Sequence, residues 1–179
     1  MTRSYKLVLL FRGVYGIAVD TQGNVYAVNT YTDDVKKILT DGTKVTYATG
    51  FANPGGVAVD TQGNVYVADT GNNAIKKILP DGTIITLGSG FSFNNPIGVE
   101  VDSQGNVYVG DWGNQAVRKI LTDGTVETLG SGFKYPWGLA VFEIPDPATA
   151  PEFPTMALPT VLVIGMLGTV HLIRRTKEN

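Results

Sequence analysis

The sequence predicts an all-β chain built by repeating one four-stranded antiparallel unit. Three observations lead there. Segments 16–51, 56–91 and 98–133 are each 36 residues long and align without a gap, with 21 identities between the first two and 26 between the last two. Each segment holds four short runs rich in β-branched and aromatic residues, bounded by turn residues. The runs are joined by short connections containing glycine, which link antiparallel neighbours. The chain has 179 residues and 22 glycines. Because the glycines recur at fixed repeat positions, they mark turns and not disorder.

Taken in order, residues 1–15 read MTRSYKLVLLFRGVY. Arg3 and Lys6 followed by LVLLF resemble a secretory signal. The apolar run is only five residues, against roughly 7–15 for a working signal, and no small-residue cleavage site follows. Phe11 precedes Gly16 as Phe51 precedes Gly56 and Phe133 precedes Gly138. In that register, residues 5–10 occupy the place of the last strand of a preceding repeat.

The middle copy shows the unit best. Strands are expected at 56–60 (GVAVD), 64–69 (NVYVAD), 74–79 (AIKKIL) and 83–88 (TIITLG). Gly63 and Gly82 supply positive φ at the turns without a Cβ penalty. Asp60 and Asp81 hydrogen-bond their own turns, as short acidic side chains do. The first strand is apolar at Val57, Ala58 and Val59 alike. Successive residues face opposite sides of a strand, so both faces of this one must be covered. The third strand carries the cations Lys36–Lys37, Lys76–Lys77 and Arg118–Lys119, which suits a strand nearing an outer rim.

Gly16, Gly56, Gly98 and Gly138 open successive copies, at spacings of 40, 42 and 40 residues. Four strands per 40–45 residues is the signature of a β-propeller blade. The fourth copy begins at Gly138 (GLAVF) and then departs from the pattern. The fold class is thus a β-propeller segment: three four-stranded antiparallel blades plus flanking strands of partial blades.

The stretch GVAVDTQGNVYVADTGNNAIKKI, followed by DGT and a fourth strand, closely resembles the NHL repeat. The resemblance covers about residues 5–143 and implies a propeller, usually six-bladed in that family. Three blades with fragments at either side imply the C-terminal piece of a longer propeller, or self-association in which two chains complete one ring.

Residues 144–155 read IPDPATAPEFPT, a proline-rich linker taken as the domain boundary. Residues 156–173 carry no charge apart from a titratable His171, and Arg174, Arg175 and Lys177 follow. Eighteen apolar residues just suffice to span a bilayer as a helix. A transmembrane helix is therefore expected over 156–173, with a basic cytoplasmic tail at 174–179 and the repeats outside. The order of Pro151, Glu152, Phe153 and Pro154, an apolar run and a basic cluster resembles the archaeal PEF-CTERM sorting signal. That resemblance implies a cell-surface protein, held at the membrane by its C-terminal segment and handled by an archaeosortase-type processing enzyme.

Composition removes several chemistries. Cysteine is absent, and His171 is the single histidine. No disulfide, thiolate site, His-based catalytic site or His-ligated metal can then be built within the repeats. Some NHL propellers are amidating lyases with a histidine-bound metal, a chemistry that finds no matching residues here. A net charge of −2 gives no electrostatic reason to bind nucleic acid. Asp20, Asp60 and Asp102 recur at the end of the first strand, as Asn29, Asp69 and Asp111 do at the end of the second. Either set offers oxygen ligands for Ca²⁺. Recurrence in every copy at a turn favours a structural duty, and no metal or other cofactor is expected.

Departures from the repeat point more directly to function, because the fold does not demand them. Tyr31 replaces Gly71 and Gly113, Trp112 replaces Thr30 and Thr70, Trp137 precedes Gly138, and Tyr47 stands where Leu87 and Leu129 stand. Exposed loop aromatics make good contacts for sugars and proteins. Tyr31, Trp112 and Trp137 are the candidate ligand contacts. The expected function is a membrane-tethered binding, adhesion or scaffolding module for protein or glycan ligands, and not an enzyme. The alternative is a fragment of a propeller enzyme, lyase or hydrolase, whose site lies partly in missing blades.

Overall fold

The computed structural model describes residues 13–142, 160–165 and 169–174, with side chains for 13–142. Three four-stranded antiparallel sheets follow one another along the chain. The first blade comprises β1 (Val14–Val19), β2 (Val25–Asn29), β3 (Asp34–Ile38) and β4 (Lys44–Thr49). The second comprises β5 (Val57–Val59), β6 (Val65–Asp69), β7 (Ala74–Ile78) and β8 (Ile84–Leu87). The third comprises β9 (Pro96–Val101), β10 (Val107–Asp111), β11 (Ala116–Ile120) and β12 (Val126–Ser131). Each strand pairs with its sequence neighbour, so every blade is a meander. The strands expected in the middle copy match to within a residue or two.

Blades stack face to face, and the core lies between them. One cluster joins the first two blades through Tyr26, Val28, Val35, Val57, Val65, Val67 and Ile78. A second joins the second and third blades through Ala58, Tyr66, Ala68, Ile75, Val99, Val107 and Ile120. The adjacent residues Val57 and Ala58 thus enter different clusters, which is why the first strand has no polar face. Burying each such Val stabilises the stack by about 1.5–3 kcal/mol. The opening strands approach closely. A Cβ on Gly56 would lie 2.5 Å from the Ile97 carbonyl oxygen, and one on Gly98 would lie 2.6 Å from that of Trp137. Only glycine permits backbone on backbone at that distance.

Among the described residues, nothing comparable covers the outer face of β1. Ile17 and Val19, the counterparts of Val57 and Val59, are 55% and 59% exposed.

The fourth copy departs from the expectation. β13 (Val141–Phe142) pairs with β14 (Thr160–Gly165), which pairs with β15 (Thr169–Arg174). The helix expected over 156–173 is therefore corrected: its described parts form two strands in a three-stranded sheet. Among the described residues, no helix is long and apolar enough to cross a membrane. The run contains Thr160, Val161, Val163, Ile164, Thr169, Val170 and Ile173, with Gly165 and Gly168 in its sequence. β-Branched residues favour strands and glycine disfavours helix. An apolar run does not by itself separate one helix from two short strands. The strand expected at 5–10, the linker 144–155 with its Pro151–Pro154 motif, and Arg175 and Lys177 lie outside the described residues.

Candidate functional site

A meander puts its connections at two ends, and the two ends differ. At the turn end, Asp20, Asp60 and Asp102 cap the β1–β2, β5–β6 and β9–β10 turns. Asp60 accepts from the Gln62 and Asn64 backbone N–H groups (3.0 and 2.8 Å), the Asn64 side-chain amide (2.7 Å) and the Tyr66 hydroxyl (2.9 Å). Asp20 and Asp102 accept the equivalent bonds. Burial alone would raise the Asp20 carboxyl, but bonds from Asn24 and Gln22 and the Lys37 charge hold it below the usual range. Its partner Tyr26 is pushed up to about 12, first by burial and then by the Asp20 charge. These carboxylates spend their acceptor capacity on the turn, which accounts for them without a metal.

At the other end, Asp69 and Asp111 are fully buried. Asp69 accepts from the Ala52 backbone N–H at 2.7 Å and the Asn72 amide at 2.9 Å. Asp111 accepts from Asn94 N–H at 2.8 Å, Asn114 at 2.8 Å and Arg118 Nε at 3.1 Å. Each carboxylate ties the loop leaving the second strand to the segment arriving from the preceding blade. Asn29, their counterpart, accepts from the Tyr31 and Thr32 N–H groups of its own turn among the described residues.

All three candidate aromatics sit at this loop end. They do not form one cluster. Trp112 stacks on Tyr135, with centroids 5.2 Å apart and planes at 28°. Trp137 stacks on Tyr15 at 6.3 Å and 7°. Tyr31 lies against Gly13, where a Cβ would meet its ring at 2.4 Å, and is itself 76% exposed. Trp112 replaces a latch: Thr70 donates its hydroxyl to the Pro96 carbonyl at 2.7 Å, in the segment leading into the next blade. In the third copy, ring stacking on the next such segment takes over.

Tyr15 and Trp137 hold the same repeat position, one residue before Gly16 and Gly138, where the middle copies have Gly55 and Ile97. Their meeting closes the arc of opening strands. Both rings remain open to ligand, at 59% and 53% exposure. Tyr135 is 56% exposed. Two half-exposed, nearly parallel rings offer apolar faces and edges that lose little rotamer freedom on binding.

Sequence reasoning missed Tyr15, Tyr135 and Glu100. Tyr15 had a signal, its register with Trp137. Glu100 had a plainer one, since the third copy reads GVEVD where the others read GIAVD and GVAVD. Glu100 lies in β9 opposite Tyr108, and burial pushes its carboxyl up to about 7. Its counterpart Ala58 packs against the next blade. Among the described residues, no group of three or more His, Cys, Asp or Glu is placed to hold a metal ion.

Comparison with known proteins agrees with this architecture. The NHL repeat family matches residues 51–78 and 93–120. No curated protein matches the chain in sequence. Among solved structures, a streptogramin B lyase superposes with TM-score 0.67 at 16% identity, covering 94% of this chain and 57% of that one. A chain of a nidogen/laminin complex gives TM-score 0.67 at 19% identity, covering 85% and 56%. A gluconolactonase from Xanthomonas campestris gives 0.65 at 20%, covering 90% and 58%. The chain thus spans a little over half the length of these structures, and the likeness is one of fold. Two segments of the chain thus match the NHL repeat, and its blades are arranged as in a propeller.

Proposed function

We propose that this chain is a binding module that meets a protein or glycan ligand with the aromatic rings of its loop end. The observation that carries this reading is the exposed Tyr15–Trp137 stack. The fold does not require it, since Gly55 and Ile97 occupy the same place in the other copies. Trp112 on Tyr135 offers a second stack at the same end. Display outside the cell, through a PEF-CTERM-type tail handled by an archaeosortase-type enzyme, is part of the proposal. It rests on Pro151, Glu152, Phe153, Pro154 and the basic residues Arg174, Arg175 and Lys177. Cell-fractionation and pull-down on envelope polymers test both parts. Wild-type chain is expected in the envelope fraction and bound to polymer, and Trp137→Ala should lose the polymer while staying folded. Retained binding by Trp137→Ala and Trp112→Ala together removes the aromatic surface from consideration.

One observation favours a second reading. Glu100 is a carboxyl poised near neutrality in an opening strand, as a general acid–base group needs. The lyase and lactonase folds above show that such propellers host enzymes. In that reading Glu100→Gln abolishes turnover of a lactone or streptogramin B substrate, and absence of turnover in the wild type sinks it.

A further inference from the structure

A cleft of about 370 Å³ opens at the turn end between the second and third blades. Its floor is apolar, with Leu87 beside the buried Val107 and Ile120, and its rim carries the exposed side chains of Gln62, Gln104 and Thr122. A cleft of this size, with apolar side chains beneath a polar rim, has room for a small molecule.

The repeat supplies an internal control. At the junction of the first and second blades, Tyr47 stands in the place of Leu87. Its ring packs edge-on against Tyr26 at 5.0 Å, with the Lys37 ammonium 5.7 Å away. Tyr47 therefore fills with protein the space that Leu87, a shorter side chain, leaves open at the second junction.

Charge in the cleft selects the ligand class. Asp60 is occupied by four hydrogen-bond donors. The Lys77 ammonium lies 5.2 Å over the Tyr66 ring. An anion meets Asp60 and a cation meets Lys77, so neither sign gains, while the amide and hydroxyl rim both donates and accepts. We propose that this cleft binds a small, neutral, polyhydroxylated molecule of monosaccharide size, independently of the aromatic loop end.

The test is amide chemical-shift mapping of the full chain with millimolar methyl glucoside and N-acetylglucosamine, and with glucuronate as the charged control. Shifts of the Gln104, Gly105 and Thr122 amides are expected with the neutral sugars. Leu87→Tyr, which copies the side chain the first junction already accommodates, should abolish them. Trp137→Ala should leave them intact. If Leu87→Tyr does not fold, the surface pair Gln62→Ala/Gln104→Ala takes its place, with roughly tenfold weaker binding expected from two lost hydrogen bonds. No shift with either neutral sugar overturns the proposal. So does equal binding of glucuronate, or binding that survives both variants.

Discussion

At the turn end, Asp20, Asp60 and Asp102 make the same four bonds in three blades. At the loop end, Asp69 and Asp111 share two bonds, from the N–H 17 residues earlier and from the Asn three residues later, but Asp111 adds Arg118 and the first copy has Asn29 in their place. The turn end repeats because each blade has the same local problem: a tight connection whose N–H groups, some of them partly buried, converge on one acceptor. The loop end varies in its side chains: Trp112, Tyr135 and Trp137 each stand in one copy only, and Arg118 brings a charge from β11 to Asp111. Residues that agree across copies serve the blade, and residues that differ are free to serve a ligand.

The largest expected effect breaks the turn end. Asp60→Ala strands the Tyr66 hydroxyl and the Asn64 groups at once, and should cost about 3 kcal/mol. Asp102→Ala should cost the same, because its network is the same. Thermal unfolding reads both as a fall of roughly 6–12 °C in Tm. Unequal losses would show that the three turn networks are not equivalent.

A smaller effect separates the two faces of the blade stack. Val57→Ala empties a buried interblade site and should cost about 2 kcal/mol. Ile17→Ala, at the equivalent position on the open face, should stay within about 0.5 kcal/mol. Urea midpoints measured side by side check this, and equal shifts would mean that the β1 face is covered in solution.

At the loop end, binding should change without stability. Trp137→Ala is expected to weaken ligand capture by roughly tenfold, a typical cost at an aromatic anchor. Its Tm should stay within about 2 °C of wild type, since half of the ring is already in water. A large loss of Tm would recast the Tyr15–Trp137 stack as a structural clasp.

The smallest effect is pH-dependent. Glu100 titrates near 7 in the folded chain, raised by burial above its ordinary 4.5. Between those values the folded chain keeps a proton that the unfolded chain gives up. Stability therefore falls as pH rises from about 4.5 to 7, and the full penalty stands above 7. Discounted for partial exposure, Glu100→Gln should gain ~1 kcal/mol at pH 8 and nothing at pH 4. A gain equal at both pH values would assign the effect to packing and not to charge.

The sequence by itself determined the blade. A period near 40, strands bounded by Gly63 and Gly82, and Asp60 at its turn follow from contacts within a few residues, and three copies repeat them. It also determined that Tyr31, Trp112 and Trp137 break the pattern. Tertiary structure alone decided which rings meet. Trp137 finds Tyr15 from the first blade and Trp112 finds Tyr135, pairings set by how blades stack and not by spacing along the chain. It decided the burial of Glu100, which spacing along the chain does not show. It also decided that the apolar run after residue 159 pairs as β14 and β15, because hydrophobicity is common to a buried strand and a membrane helix, and only the hydrogen-bonding partner distinguishes them.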